Sequence, residues 1–128
     1  MTERELALRR EIMVAFAETG EPPAVDDRPT LEALVERHVV VLGDDGGITM
    51  AHPFSAPGGN ARIDASGRTW WGNCAWDALG IVAALGLPEA TIANNGMTVR
   101  VRDGRVLDDA VFHVSVPARH WWDDVEYT

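Results

Sequence analysis

Three polar turns rich in aspartate, serine and glycine divide much of the sequence into short apolar segments, and these turns constrain the fold most strongly. They lie at residues 43–47, 64–67 and 103–104. Short apolar segments on either side of such a turn are typical of a β-hairpin. The sequence therefore predicts three hairpins. Apolar residues recur again over 110–116 and predict one further strand.

Helical spacing of apolar residues marks three other segments. Residues 3–19 predict an amphipathic helix that ends at Gly20, a residue favoured after a helix C-terminus. After a proline-rich loop, a second helix is predicted over about 30–38. The third is predicted over 74–85, with Asn73 as its N-cap. Because this helix is apolar on almost every side, we expect it to be central.

The order of these elements predicts an α+β protein with two units. Two helices followed by a hairpin in residues 1–54 predict a small winged-helix-like N-terminal unit. Prolines and glycines between residues 53 and 59 mark the boundary. Residues 55–128 are then expected to form a core of mixed strands around the one central helix.

Composition excludes several classes of function. Twenty acidic and eleven basic residues give a net charge of -9, which repels phosphate backbones and disfavours nucleic acid as a partner. The basic residues are all arginine, so lysine Schiff-base chemistry is excluded. No segment approaches the roughly 20 apolar residues of a membrane span, and the N-terminus lacks a signal-peptide pattern. With its single cysteine, which cannot form an internal disulfide, the chain is expected to be cytoplasmic.

The candidate chemistry lies in the segment 68–79, which reads RTWWGNCAWDAL. Cys74 is placed in the first turn of the predicted helix, where backbone N–H groups and the helix dipole favour a thiolate. Asp77 follows three residues later on the same face. A nearby carboxylate raises the pKa of a thiol, so either group is able to hold the proton. The same spacing also fits a structural role, in which Cys74 packs in the helix and Asp77 supports its first turn.

Aromatic and acidic residues near this segment supply further candidates. Trp76 lies close enough in sequence to wall an apolar pocket for an alkyl or aryl group, and Trp71 is a second candidate for its lining. Four polar residues near the C-terminus match no zinc-binding spacing and are expected to be solvated; they are His120, Asp123, Asp124 and Glu126.

The segment RTWWGNCAWDAL resembles the active-site segment of the alkylmercury (organomercurial) lyase family. In that family an arginine and aromatic residues lead into Cys-Ala-x-Asp on a helix, and a winged-helix-like region precedes the core. The resemblance implies protonolysis of a carbon–mercury bond, with Cys74 as the mercury-binding thiolate and Asp77 as a second mercury contact and the proton donor or relay. It implies small organomercurials or similar soft electrophiles as ligands, and no cofactor.

The resemblance also implies a second soft ligand that this sequence does not supply. The family uses a second active-site cysteine on a later strand, and the chain has one cysteine. We therefore expect a short or C-terminally truncated family member, in which a thiol or selenol just beyond Thr128 completes the mercury site, for instance after a stop codon that is read as selenocysteine. A small-molecule thiol or a second subunit is the alternative source.

A second class of function fits the N-terminal elements. Two helices and a hairpin are typical of a winged-helix regulatory or binding module, in which Cys74 would sense a metal or an oxidant. Only Arg28, Arg37 and Arg62 are basic between residues 22 and 63, so a DNA-binding face would carry little positive charge. Salt-dependent binding to DNA would distinguish this function from mercurial chemistry.

Overall fold

The computed structural model describes residues 1–125 and has an α+β fold, as predicted. Its helices are α1 (Glu3–Thr19), α2 (Arg28–Glu36) and α3 (Ala75–Ala84). Its strands are β1 (Val41–Leu42), β2 (Ile48–Ala51), β3 (Phe54–Ser55), β4 (Ala61–Ala65), β5 (Arg68–Gly72), β6 (Glu89–Asn94), β7 (Met97–Arg102) and β8 (Arg105–Val106). They form one antiparallel sheet in the order β1-β2-β3-β5-β4-β6-β7-β8.

Helix α1 has the predicted limits and is fixed to the strand that leads into the candidate site. Thr2 and Glu5 form a reciprocal capping box at its start. Gly20 ends it with a φ of 74°, a conformation that glycine adopts without steric cost. The indole N–H of Trp70, in β5, donates to the carbonyl of Ala17 at 3.0 Å. The C-terminal end of α1 is therefore held against β5.

The core lies between the helices and one face of the sheet. Ile63 of β4 pairs with Trp70 of β5 on one side and with Ile92 of β6 on the other, and all three are buried. Phe16 of α1 stacks on Phe54 of β3 with ring centroids 5.5 Å apart. The sheet and its core thus continue across the predicted boundary between residues 54 and 55, and the division into two units stays a prediction.

The three predicted hairpins are confirmed, and two strands were missed. The missed strands are β3, which has only two residues, and β6, which the turn at 95–96 joins to β7. Helix α2 begins at Arg28, two residues earlier than predicted, because the Asp27 side chain caps it by accepting the N–H of Thr30 at 3.2 Å.

The predicted strand over 110–116 is wrong, because the chain leaves the sheet before it. The carboxylate of Asp108 accepts the backbone N–H of Arg100 at 2.7 Å and also binds its guanidinium. A side chain therefore binds the backbone N–H that the next residue of β8 would otherwise pair with, and the ladder between β7 and β8 ends there. Residues 110–116 are irregular and mostly exposed, and Val111 is 94% exposed.

The expectation that strands surround a central α3 is wrong, because the helix lies on one face of the single sheet and its outer side is exposed. Ala78, Ile81 and Val82 are buried, whereas Trp76 on its other side is 70% exposed. No helix within residues 1–125 is long and apolar enough to span a membrane, and a cytoplasmic location stays a prediction.

Candidate functional site

The candidate site lies where β5 ends and α3 begins, and Gly72 makes this junction tight. A Cβ on Gly72 would stand 3.1 Å from the backbone nitrogen of Ala78 and 3.2 Å from the Cβ of Asp77. Such contacts are closer than side chains normally tolerate, so the strand packs directly on the first turn of the helix only because residue 72 is glycine. This packing fixes the position of Asp77.

Cys74, and not Asn73, is the N-cap of α3. Its backbone is extended, with φ -141° and ψ 174°, and its carbonyl accepts the N–H of Ala78 at 3.0 Å. The side chain of Asn73 is buried and used elsewhere: its amide nitrogen donates to the carbonyl of Val125 at 2.8 Å, and its oxygen accepts from Asn60 at 3.3 Å. Because both partners are distant in sequence, local capping preference predicted the wrong residue.

The structure brings Cys74 and Asp77 together. The Sγ atom of Cys74 lies 3.5 Å from Oδ2 of Asp77, a distance at which a thiol donates a hydrogen bond to a carboxylate. The cysteine is half-buried. Asp77 is the third residue after the cap, and the helical backbone turns its carboxylate back toward the sulfur. The pair thus places a soft nucleophile beside a group that accepts its proton.

The electrostatics of the pair favour the protonated thiol. Burial is the largest effect and raises the pKa of Cys74 above its ordinary value. The negative charge of Asp77 and its hydrogen bond from the thiol raise this pKa further, whereas the backbone N–H groups of Asp77 and Trp76 lower it. Of the two positions that the sequence left open for the proton, these effects favour the sulfur, because desolvation outweighs the N–H groups at the helix end.

This balance predicts how Asp77→Asn changes the reactivity of Cys74. The substitution removes the negative charge and the carboxylate acceptor, both of which raise the pKa of the thiol, and it keeps the backbone N–H groups that lower it. The pH profile of Cys74 alkylation by iodoacetamide is therefore expected to shift to lower pH, with faster alkylation near neutrality. Superimposable profiles for the two proteins would show that the carboxylate does not act on the sulfur.

The two tryptophans predicted to line a substrate pocket occupy different environments. Trp71 is half-buried in β5, and the guanidinium of Arg62 lies 5.7 Å from its ring centroid. Trp76 follows Cys74 by two residues and is largely exposed, with its ring against Phe112. Their role in a pocket stays a prediction. Of the five tryptophans only Trp70 is fully buried.

A C-terminal segment, residues 107–125, returns to the site and was missed in the sequence. The ring of Trp122 stacks on His38 with centroids 4.3 Å apart and meets His52 edge-on at 5.5 Å. Val125 then accepts the hydrogen bond from Asn73, the neighbour of Cys74. These contacts join residues that are far apart in the chain, so no local sequence pattern predicts them.

The polar residues near the C-terminus do not assemble a metal site in the described part of the chain. His120 Nδ1 lies 2.9 Å from Oδ2 of Asp123, and both side chains are largely exposed. Within residues 1–125, no three histidine, cysteine, aspartate or glutamate side chains are grouped to hold a metal ion. Glu126, the fourth candidate, lies outside the described residues.

The chain is similar to known proteins both in sequence and in structure. Residues 54–128 match the family model described as alkylmercury lyase. The structure is similar to the crystal structure of the mercury-bound form of MerB2, with a TM-score of 0.66 and 19% sequence identity. The similarity covers 84% of this chain and 60% of that chain, so the present chain spans 60% of the length of the solved protein. No curated protein matches the sequence. At this identity the structural likeness shows the fold.

Proposed function

We propose, from the premise that this chain belongs to the alkylmercury lyase family, that it binds an organomercurial through Cys74 and cleaves the carbon–mercury bond by protonolysis. The observation that carries this proposal is the 3.5 Å distance between Cys74 Sγ and Asp77 Oδ2. Both residues lie within the region that matches the family model. A thiol and a carboxylate at this distance supply the soft ligand and the proton carrier that the reaction needs.

The first step of the proposed reaction moves the thiol proton to Asp77. The thiol of Cys74 displaces the leaving ligand of an organomercurial, and a sulfur–mercury bond forms. The proton lost from sulfur passes along the existing hydrogen bond to the carboxylate of Asp77. The raised pKa of Cys74 supports this order, because the thiol carries its proton until mercury replaces it.

The second step returns that proton to carbon. The carboxyl of Asp77 protonates the carbon bonded to mercury, and the electron pair of the carbon–mercury bond becomes the new carbon–hydrogen bond. The hydrocarbon leaves, Asp77 is again a carboxylate, and Hg(II) remains on the sulfur of Cys74. The proton taken up in the first step is thus consumed in the second.

A second soft ligand is needed to stabilise the Hg(II) product. Cys74 is the single cysteine of the sequence, so we propose that a small-molecule thiol supplies the second sulfur and loses its proton as it binds the metal. A further thiol then displaces Cys74 from mercury, its proton passes to the Cys74 sulfur, and Hg(II) leaves with two external thiolates. No cofactor takes part in this scheme.

The N-terminal elements support a structural role better than a nucleic-acid-binding one. We propose a winged-helix-like unit in residues 1–54 from its order of two helices and a hairpin. Three of its five arginines are engaged within the chain: Arg4 pairs with Asp27 at 2.7 Å, Arg28 donates to the carbonyl of Gly46 at 2.9 Å, and Arg37 pairs with Glu5 at 3.1 Å. Few arginine side chains remain to form a positively charged face for DNA. The alternative of a DNA-binding or sensing module is therefore not favoured.

Capture of phenylmercury tests the proposed function. The protein is expected to bind one phenylmercury per chain, because the sequence contains one cysteine, and Cys74→Ser is expected to abolish the adduct. Mass spectrometry of the intact chain measures the stoichiometry. Ala75→Ser, which adds a hydroxyl next to the cysteine and keeps the thiol, is the control and is expected to retain capture. An undiminished adduct on Cys74→Ser would contradict the assignment.

A further inference from the structure

Two exposed aromatic rings meet on the outer side of α3, the helix whose N-cap is the cysteine. The centroids of Trp76 and Phe112 lie 5.5 Å apart with the ring planes at 78°. Trp76 belongs to the first turn of α3, whereas Phe112 comes from the irregular segment that follows Asp108. The contact therefore joins the helix that carries Asp77 to a part of the chain distant in sequence.

Both rings remain open to solvent despite this contact. Trp76 is 70% exposed and Phe112 is 51% exposed. An edge-to-face pair leaves ring faces free for a third aromatic group. A single exposed ring is ordinary, whereas two rings in contact form a continuous apolar surface of the kind that binds an apolar group.

A group carried on Cys74 starts at the N-cap of the helical turn that holds Trp76. Trp76 is two residues from the cap, which is a rise of about 3 Å along the helix, and its backbone N–H is near enough to the sulfur to lower the pKa of the thiol. A phenyl group bonded to mercury on Cys74 extends two bonds and a ring beyond the sulfur. A methyl group ends at the first carbon and has no ring to stack.

We propose that Trp76 and Phe112 bind the organic group of the mercurial, and that Phe112 is a specificity-determining residue which favours aryl over methyl mercurials. The inference rests on the proposed function, since it requires the mercurial to be held by Cys74. Phe112 lies in the segment whose predicted strand is absent, and this irregular path brings its ring to the helix.

Equilibrium competition between the protein and glutathione tests this inference with phenylmercury and methylmercury. The measurements use the full chain with Asp77→Asn, which is expected to capture mercurials and to cleave them slowly. Adding Phe112→Ala is expected to lower the ratio of phenylmercury to methylmercury affinity by about 3- to 10-fold, the effect of losing one aromatic contact. Phe112→Tyr is expected to retain the ratio. Val114→Ala, in the same segment and 67% exposed, is the matched control and is also expected to retain it.

The outcomes separate this inference from the function on which it rests. If both mercurials bind Cys74 and Phe112→Ala leaves the affinity ratio unchanged, or weakens both affinities equally, the specificity role is wrong and the proposed function stands. If neither mercurial binds Cys74 in any of these proteins, both proposals fall.

Discussion

Replacing Asp77 by asparagine is expected to slow the release of benzene from phenylmercury by about 10²- to 10⁴-fold, the range for loss of a general acid–base group. The carboxylate lies 3.5 Å from the sulfur and is proposed to carry the thiol proton to carbon. An amide of the same shape cannot carry it. Single-turnover release of benzene, measured by gas chromatography, gives the rate, and the mass of the intact chain shows that Cys74 still captures the mercurial.

Asp103→Asn is the matched control for this experiment. Asp103 is an exposed residue with φ 47° between β7 and β8, a conformation that asparagine also adopts readily. The same loss of a carboxylate at this position is expected to leave benzene release unchanged. A wild-type rate of release by Asp77→Asn would show that another proton donor serves the reaction.

Turnover is expected to depend entirely on added thiol. Without it, each chain is expected to release at most one benzene, because Hg(II) stays on Cys74, the one cysteine in the sequence. With glutathione in excess, one thiolate completes the metal site and a further glutathione displaces Cys74 from mercury and returns a proton to it, so repeated turnover is expected. Benzene per chain, followed with glutathione or with S-methylglutathione, measures this dependence. Repeated turnover with the methylated analogue would contradict the proposed role of an external thiol.

The sequence predicted those parts of the fold that local chemistry decides. The capping box of Thr2 and Glu5 and the stop at Gly20 define α1 without help from the rest of the chain. The prediction of a strand over 110–116 was wrong because a tertiary contact decides the structure there. Asp108 binds Arg100 and ends the strand pairing beside β7. That contact exists only after the sheet has formed.

In the candidate site, too, the sequence predicted what local geometry decides and missed what tertiary contacts decide. The three-residue spacing of Cys74 and Asp77 on a helix predicted that the two side chains lie close together, because helical geometry alone brings such positions together. The bonds that divert Asn73 from capping, and the approach of Phe112 to Trp76, are tertiary contacts with no local signal. The pKa of Cys74 also depends on burial, which the sequence does not specify.

Cys74 and Asp77 are proposed to act as a pair that transfers a proton to carbon. Headspace analysis of the wild-type protein with phenylmercury and glutathione tests it most directly, with release of Hg(II) measured in the same sample. Benzene and Hg(II) are expected in equal amounts, and neither product is expected above background when Cys74→Ser is used. Capture of phenylmercury on Cys74 with no benzene released would contradict the claim.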